Sequence, residues 1–125
     1  EMDFGAWEGR LVQEVWLENP ELVARFYDNP GAVTPPGGES SAAVQSRIVA
    51  AWTGLLRHCV GDRLLLVCHG GVIRLLLAHL LGMPLATVMR LYIPYASLAQ
   101  VRVYHRETGD VAALMSLNCS GPGAC

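Results

Sequence analysis

Three short segments hold the residues whose types and spacing could do chemistry. His69 follows a continuous apolar run, Arg63-Leu64-Leu65-Leu66-Val67-Cys68, and precedes Gly70-Gly71 and the helix-like stretch VIRLLLAHLLG. A residue at the carboxyl end of a buried strand in an open α/β sheet faces the crevice where ligands bind. Glycines there let a ligand approach the backbone, and the N–H groups opening the next helix favour an anion such as phosphate. An imidazole at that place adds one more donor and a proton. The structural alternative is a strand-end histidine satisfied by a backbone carbonyl. The second segment, Glu1-Met2-Asp3-Phe4-Gly5-Ala6-Trp7-Glu8-Gly9, sets three acids beside two bulky aromatics. A carboxyl placed in a partly dry pocket has a raised pKa and suits a general acid; otherwise all three acids are solvated. The third, Pro35-Pro36-Gly37-Gly38-Glu39-Ser40, reads as a helix start whose acid complements the dipole.

These segments need elements to position them. A short helix is expected from Leu11 to about Leu17, and Pro20 can open a second that runs to about Tyr27, where its missing N–H costs nothing. Asn29-Pro30-Gly31 ends that helix, and residues 30–38 form a loop. From Ser40 to Cys59, Val44, Ile48, Trp52, Leu55 and Leu56 fall at helical spacing and predict the longest amphipathic helix. Gly61-Asp62 breaks it. Residues 63–68 lack polar alternation, which predicts a central parallel strand covered on both faces, with Cys68 as a small core residue. Pro84 can open a short helix to about Met89. Ser97–Tyr104 and Val111–Leu117 alternate around a Thr-Gly turn and predict a hairpin. Helices around a buried strand, then a hairpin, argue α/β layers with a mixed sheet.

Composition narrows the function classes. With 125 residues the prior is one domain, and 52% apolar against 16% charged residues excludes disorder and coiled coil. The apolar stretch 64–86 is interrupted by His69, Arg74, His79 and Pro84, so no membrane-spanning run exists. Nine arginines and no lysine face eleven acids, giving a net charge of −2. Without a basic excess there is no electrostatic case for nucleic acid or anionic lipid. The four cysteines make no C-x-x-C pair and no zinc-finger spacing, and nothing resembles a signal peptide. A reducing cytoplasm with no metal and no cofactor is the expectation. The chain opens on Glu1 rather than Met, so its natural start is expected to lie upstream.

Taken together, the three segments resemble the histidine phosphatase (phosphoglycerate mutase-like) superfamily. The likeness rests on Glu1-x-x-Phe4-Gly5-x-Trp7-Glu8-Gly9, Pro36-x-Gly38-Glu39-Ser40 and Val67-Cys68-His69-Gly70-Gly71-Val72-Ile73-Arg74, in the family's order and across about residues 1–103. The DFGAWEGR and PPGGES forms look most like the alpha-ribazole phosphatase branch of cobalamin synthesis. The resemblance implies a three-layer α/β/α fold with a mixed, mostly parallel sheet. It also implies metal-free phosphoryl transfer from a small phosphorylated metabolite through a phosphohistidine. In that scheme His69 matches the second histidine of the site and Glu1 the acid that protonates the leaving alcohol. Gly70 would offer a backbone N–H to phosphate, and Arg74 is a further candidate for phosphate contact.

The departure from the family is the absence of its Arg-His-Gly motif, which supplies the nucleophile, and of the next arginine-bearing motif. Arg57-His58-Cys59 ends a helix rather than following a first strand, so it is a decoy. Residues 1–118 are therefore expected to be the C-terminal part of a single phosphatase domain, incomplete on its N-terminal side, with 119–125 a flexible tail. Alone, such a chain lacks the nucleophile. A non-catalytic member that binds phosphorylated ligands or a protein partner, and a phosphoglycerate mutase, are the alternatives. A sheet lacking a strand exposes apolar edges, which predicts self-association into a homo-oligomer. His79 and His105 read as structural or solvated, Arg47 as a residue on a solvated helix face or, alternatively, a partner of Glu39 or its neighbours, and Trp7 and Trp52 as packing residues.

Overall fold

The computed structural model describes residues 1–59, 61 and 63–119. After a 3-10 turn at Gly5–Trp7 come helices α1 (Val12–Glu18), α2 (Pro20–Asp28), α3 (Ser41–His58) and α4 (Gly70–Leu80). A 3-10 segment, Leu85–Arg90, leads into a hairpin of β1 (Leu98–Tyr104) and β2 (Val111–Cys119). Helices α1, α2 and α3 start where the sequence supplies a side-chain partner near their first turn, whereas α4 has no side-chain cap. Glu14 reaches back to the Leu11 N–H at 3.2 Å, and Asn19 Oδ1 accepts from Leu22 N–H at 3.3 Å ahead of Pro20. Ser40 Oγ accepts from Ala43 N–H at 3.2 Å. Gly82, at φ +65°, closes α4 by letting Met83 N–H reach the Ala78 carbonyl at 2.8 Å.

The core lies where α2, α3, α4 and the Leu85–Arg90 segment meet, around Phe26, Val33, Val44, Ile48, Leu75, Ala78 and Val88. Met2 enters the same cluster at 6% exposure. Burying such a side chain is worth about 1.5–3 kcal/mol, so the start of the chain is anchored and not frayed. Phe4 and Trp7 both stand edge-on to Phe26, with ring centroids 6.3 and 5.5 Å away. That bears out Trp7 as a packing residue and fixes the loop 1–9 over α2.

The hairpin forms as expected, antiparallel, with Tyr104 opposite Val111 and Val101 opposite Leu114, and register shifts on either side of Gln100. Its turn closes with Gly109 N–H on the Arg106 carbonyl at 3.0 Å. Among the described residues this is the one sheet, and it is two-stranded.

Two expectations are corrected here. Residues 63–68 form no ladder with any described strand, and the run is open to solvent: Leu65 is 76% and Val67 89% exposed. Cys68 is exposed as well, not a core residue. The reason is that a parallel strand is a relation between neighbours. An apolar run needs flanking strands to complete its hydrogen bonds, and none of the described residues provides them. Asp62 of the expected helix breaker lies outside the described residues, as do residues 120–125 of the expected tail. Cys119, the remaining tail residue, is buried at the end of β2.

Candidate functional site

The site begins with how residues 1–9 and 35–39 are joined. Ala6 N–H donates to the Pro36 carbonyl at 2.8 Å, and Glu39 N–H donates to the Asp3 carbonyl at 2.8 Å. The two backbones approach so closely that only glycine fits at Gly5 and Gly38. A Cβ on Gly38 would stand 2.5 Å from the Asp3 carbonyl oxygen, and one on Gly5, which is at φ +55°, would collide with the Pro36 carbonyl.

The three acids of the opening loop then part company. Asp3 Oδ1 accepts from Gly5 N–H at 2.7 Å, and Glu8 Oε1 from Phe4 N–H at 2.8 Å. Both tie down their own loop. Glu1 Oε1 accepts from Met2 N–H at 2.9 Å, while Oε2 points away from the loop, 3.5 Å from His69 Nδ1. His69 is the N-cap residue of α4, with extended backbone at φ −109°, ψ 160°. Its side chain is 63% exposed and that of Glu1 31%, so the pair is open to a ligand.

Gly71, on the first turn of α4, faces Glu1 directly: a Cβ there would be 2.5 Å from Glu1 Oε1. Gly70 opens the helix, and Ile93 and the guanidinium of Arg74 border it, Arg74 Nη1 lying 3.4 Å from where a Gly70 Cβ would be. Arg74 Nε donates to the Leu91 carbonyl at 2.9 Å, which fixes the side chain against the loop after the 3-10 segment. Glu1, His69, Gly70 and Arg74 are thus gathered around the N-terminus of α4. An acid, an imidazole, an arginine and unpaired helix N–H groups in one place can bind a phosphoryl group and exchange a proton with it.

Two further members, Glu39 and Arg47, form the pair that the sequence offered only as the alternative to a solvated face. Glu39 does not cap α3, since Ser40 does. Its carboxylate instead takes the fork of Arg47, Nε on Oε1 at 3.0 Å and Nη2 on Oε2 at 2.8 Å, together with Asp3 N–H at 3.0 Å. The Arg47 contact first, then the Asp3 N–H, hold the Glu39 carboxyl down to about 2. Arg47, expected on a solvated face, also donates to the Glu1 carbonyl at 2.6 Å. The eight-residue spacing from Glu39 was the signal available for this pair. His58 sits at the end of α3 with Nδ1 2.8 Å from the Gly54 carbonyl of its own helix, a structural role for the decoy motif. Although Cys68 is exposed by surface area, local desolvation of its thiol first, then the Glu1 carboxylate, push it up from its ordinary value.

The profile of the histidine phosphatase superfamily (branch 1) matches residues 1–114. The chain belongs to that superfamily. Over 104 residues it is 35% identical to a bifunctional protein of Mycobacterium tuberculosis, covering 83% of this chain and 28% of the relative. An adenosylcobalamin/alpha-ribazole phosphatase of Salmonella typhimurium is 34% identical over 88 residues, 70% of this chain and 44% of the relative. Among solved structures, a mycobacterial glucosyl-3-phosphoglycerate phosphatase superposes with a TM-score of 0.83 at 26% identity. That match covers 97% of this chain and 62% of the solved one. The fold is accordingly the α/β phosphoglycerate mutase-like fold, and the chain spans less than two-thirds of each of these proteins. Among the described residues no helix is long and apolar enough to cross a membrane.

Proposed function

We propose that this chain supplies the proton-donating and phosphate-stabilising side of a phosphomonoesterase site that works through a phosphohistidine. The observation that carries the reading is the Glu1 carboxylate beside His69 at the N-terminus of α4. In the first step a nucleophilic histidine nitrogen attacks phosphorus and the P–O bond to the alcohol breaks. Glu1, protonated, gives its proton to the departing oxygen. His69, Arg74 and the N–H of Gly70 hold the equatorial oxygens, where charge in a phosphoryl transition state is concentrated. In the second step water attacks the phosphohistidine, Glu1 takes the water proton, and inorganic phosphate leaves. Each step returns Glu1 to the state the next one needs.

The sequence has no Arg-His-Gly motif. In this reading the nucleophile belongs to chain preceding Glu1, and residues 1–118 are the C-terminal part of one phosphatase domain. The same upstream segment would bring the strand that pairs with residues 63–68 and completes a three-layer α/β/α arrangement. The exposed apolar side chains of that run support this, as does the cleft of about 550 Å³ between α3, α4 and the hairpin. The likeness to the alpha-ribazole phosphatase makes α-ribazole 5′-phosphate the first substrate to try, within a class of small phosphorylated metabolites.

The test is phosphate release by the full-length protein carrying these residues, with and without EDTA. EDTA-resistant release from an alkyl phosphate, together with an acid-labile, base-stable phosphoprotein, is the expected result. Release abolished by EDTA refutes the metal-free route. The absence of Arg-His-Gly favours a second reading, a non-catalytic phospholigand-binding member. Phosphate binding without any release from the full-length protein would select it.

A further inference from the structure

We infer that Arg47 is a positioning residue for Glu1, acting through the backbone rather than by touching substrate; the inference rests on the reading of Glu1 as the general acid. Arg47 stands on α3, 46 residues from Glu1, and its Nη2 donates to the Glu1 carbonyl at 2.6 Å. The same guanidinium is clamped on both oxygens of Glu39. Glu39 in turn exchanges two bonds with Asp3: its N–H donates to the Asp3 carbonyl at 2.8 Å, and its Oε2 accepts from Asp3 N–H at 3.0 Å. Residues 1–3 are therefore held at three successive points by one arginine and the acid it grips. Met2, buried in the core between them, removes the remaining freedom.

What this fixes is the direction in which the Glu1 side chain leaves the backbone. Its carboxylate has one internal bond, to Met2 N–H, and meets Gly71 and His69 with no other tether from the loop. A peptide plane turned by loss of the Arg47 bond would swing the carboxylate off that line. The fork matters more than the charge, because Arg47 must satisfy two Glu39 oxygens and the carbonyl at once. Lysine offers a point charge without that planar geometry. The arginine hydrogen-bonds the carbonyl of Glu1 and reaches its carboxylate only as a neighbouring charge, a part that Arg47→Lys retains while losing the fork.

The experiment compares Glu1→Gln, Arg47→Ala, Arg47→Lys and the Glu1→Gln/Arg47→Ala double variant of the full-length protein. Substrates are an alkyl phosphate, whose leaving group needs a proton, and p-nitrophenyl phosphate, whose leaving group does not. Arg47→Ala should lower kcat/KM, which reports the leaving-group step and not the shared hydrolysis of the phosphohistidine, by roughly 10- to 100-fold on the alkyl phosphate and by a few-fold at most on the aryl phosphate. Arg47→Lys should recover part of the alkyl loss. The double variant should be no slower on the alkyl phosphate than Glu1→Gln alone, since both changes remove one function. Turnover of the aryl phosphate also reports that the variants are folded. Equal losses on both substrates in Arg47→Ala, or additive losses in the double variant, overturn the inference. If Glu1→Gln discriminates between the substrates and Arg47→Ala does not, Arg47 alone is refuted. If Glu1→Gln itself shows no discrimination, the acid role falls, and with it this role for Arg47.

Discussion

Replacing Gly71 with alanine should separate activity from stability. The added methyl would sit 2.5 Å from Glu1 Oε1, against about 3.4 Å for ordinary contact, so the carboxylate must retreat by about 0.9 Å. The three atoms nearest to it, at 2.5, 3.5 and 3.8 Å, all belong to the Glu1 side chain, so that side chain is what must give way. Gly71 lies on the first turn of α4, where alanine is favoured over glycine by at most the helix-interior figure of about 0.8–1 kcal/mol. Pushing Glu1 off its rotamer costs about 0.5–1.5 kcal/mol. The two terms roughly offset, and the melting temperature should hardly move. Catalysis is more sensitive, since a displacement near 1 Å in a reacting group can cost about 100-fold. The full-length Gly71→Ala protein should therefore show kcat/KM on an alkyl phosphate lowered roughly 10- to 100-fold, with near-normal thermal unfolding and near-normal kcat/KM on p-nitrophenyl phosphate, whose leaving-group step needs no proton. Unchanged kcat/KM on the alkyl phosphate in a normally folded variant would show that the position of Glu1 against α4 has no part in the reaction.

His69→Ala should reduce kcat of the full-length protein by roughly 100-fold or more, as removal of an oxyanion-type donor does; steady-state rates within a few-fold of the parent would take His69 out of the site. Gly38→Ala forces a methyl against the Asp3 carbonyl, an atom that can move only with its loop, and should cost about 1–3 kcal/mol by chemical denaturation. A parental midpoint would deny the loop-to-loop contact. Glu39 titrates near 2 in the folded protein, below its ordinary 4.5, so the stability it contributes is complete above pH 4.5 and lost as pH falls through 2. The gap in melting temperature between the parent and Glu39→Gln should close over that window; a constant gap from pH 6 to 2 would contradict the Arg47 clamp. Residues 1–125 by themselves should self-associate through the exposed run 64–67, seen as mass rising with concentration in light scattering, and a monomer at every concentration would refute this.

Local signals and neighbour-dependent ones were unequally legible. The helices and the hairpin could be read because caps, periodicity and turn residues act within a few positions. Asn19-Pro20, Ser40 and Gly82 each ended or began an element within about a residue of expectation. The run 63–68 could not be read in the same way. Its lack of polar alternation says what surroundings it suits, not that the described residues provide them. Leu65 and Val67 are consequently among the more exposed apolar side chains although their sequence is that of a buried strand. Cys68 was misplaced by the same step.

The site shows why residue type and loop position could not identify the acid. Asp3, Glu8 and Glu1 share one loop, and local pattern treats them as equivalent candidates. What separates them is where their oxygens are committed. Asp3 and Glu8 are drawn back onto Gly5 and Phe4 N–H groups of their own loop, so protonating either would loosen the loop that carries it. Glu1 makes one such bond, to Met2, and leaves its second oxygen facing His69. That oxygen can gain and lose a proton without dismantling its support, because the support lies elsewhere, in the buried Met2 and in Arg47 on the carbonyl. A carboxylate is fit to exchange protons when its backbone is held independently of its charge. Asp3 shares that support, through Glu39 on its N–H and carbonyl, so what sets Glu1 apart among the three acids is that its second oxygen faces His69.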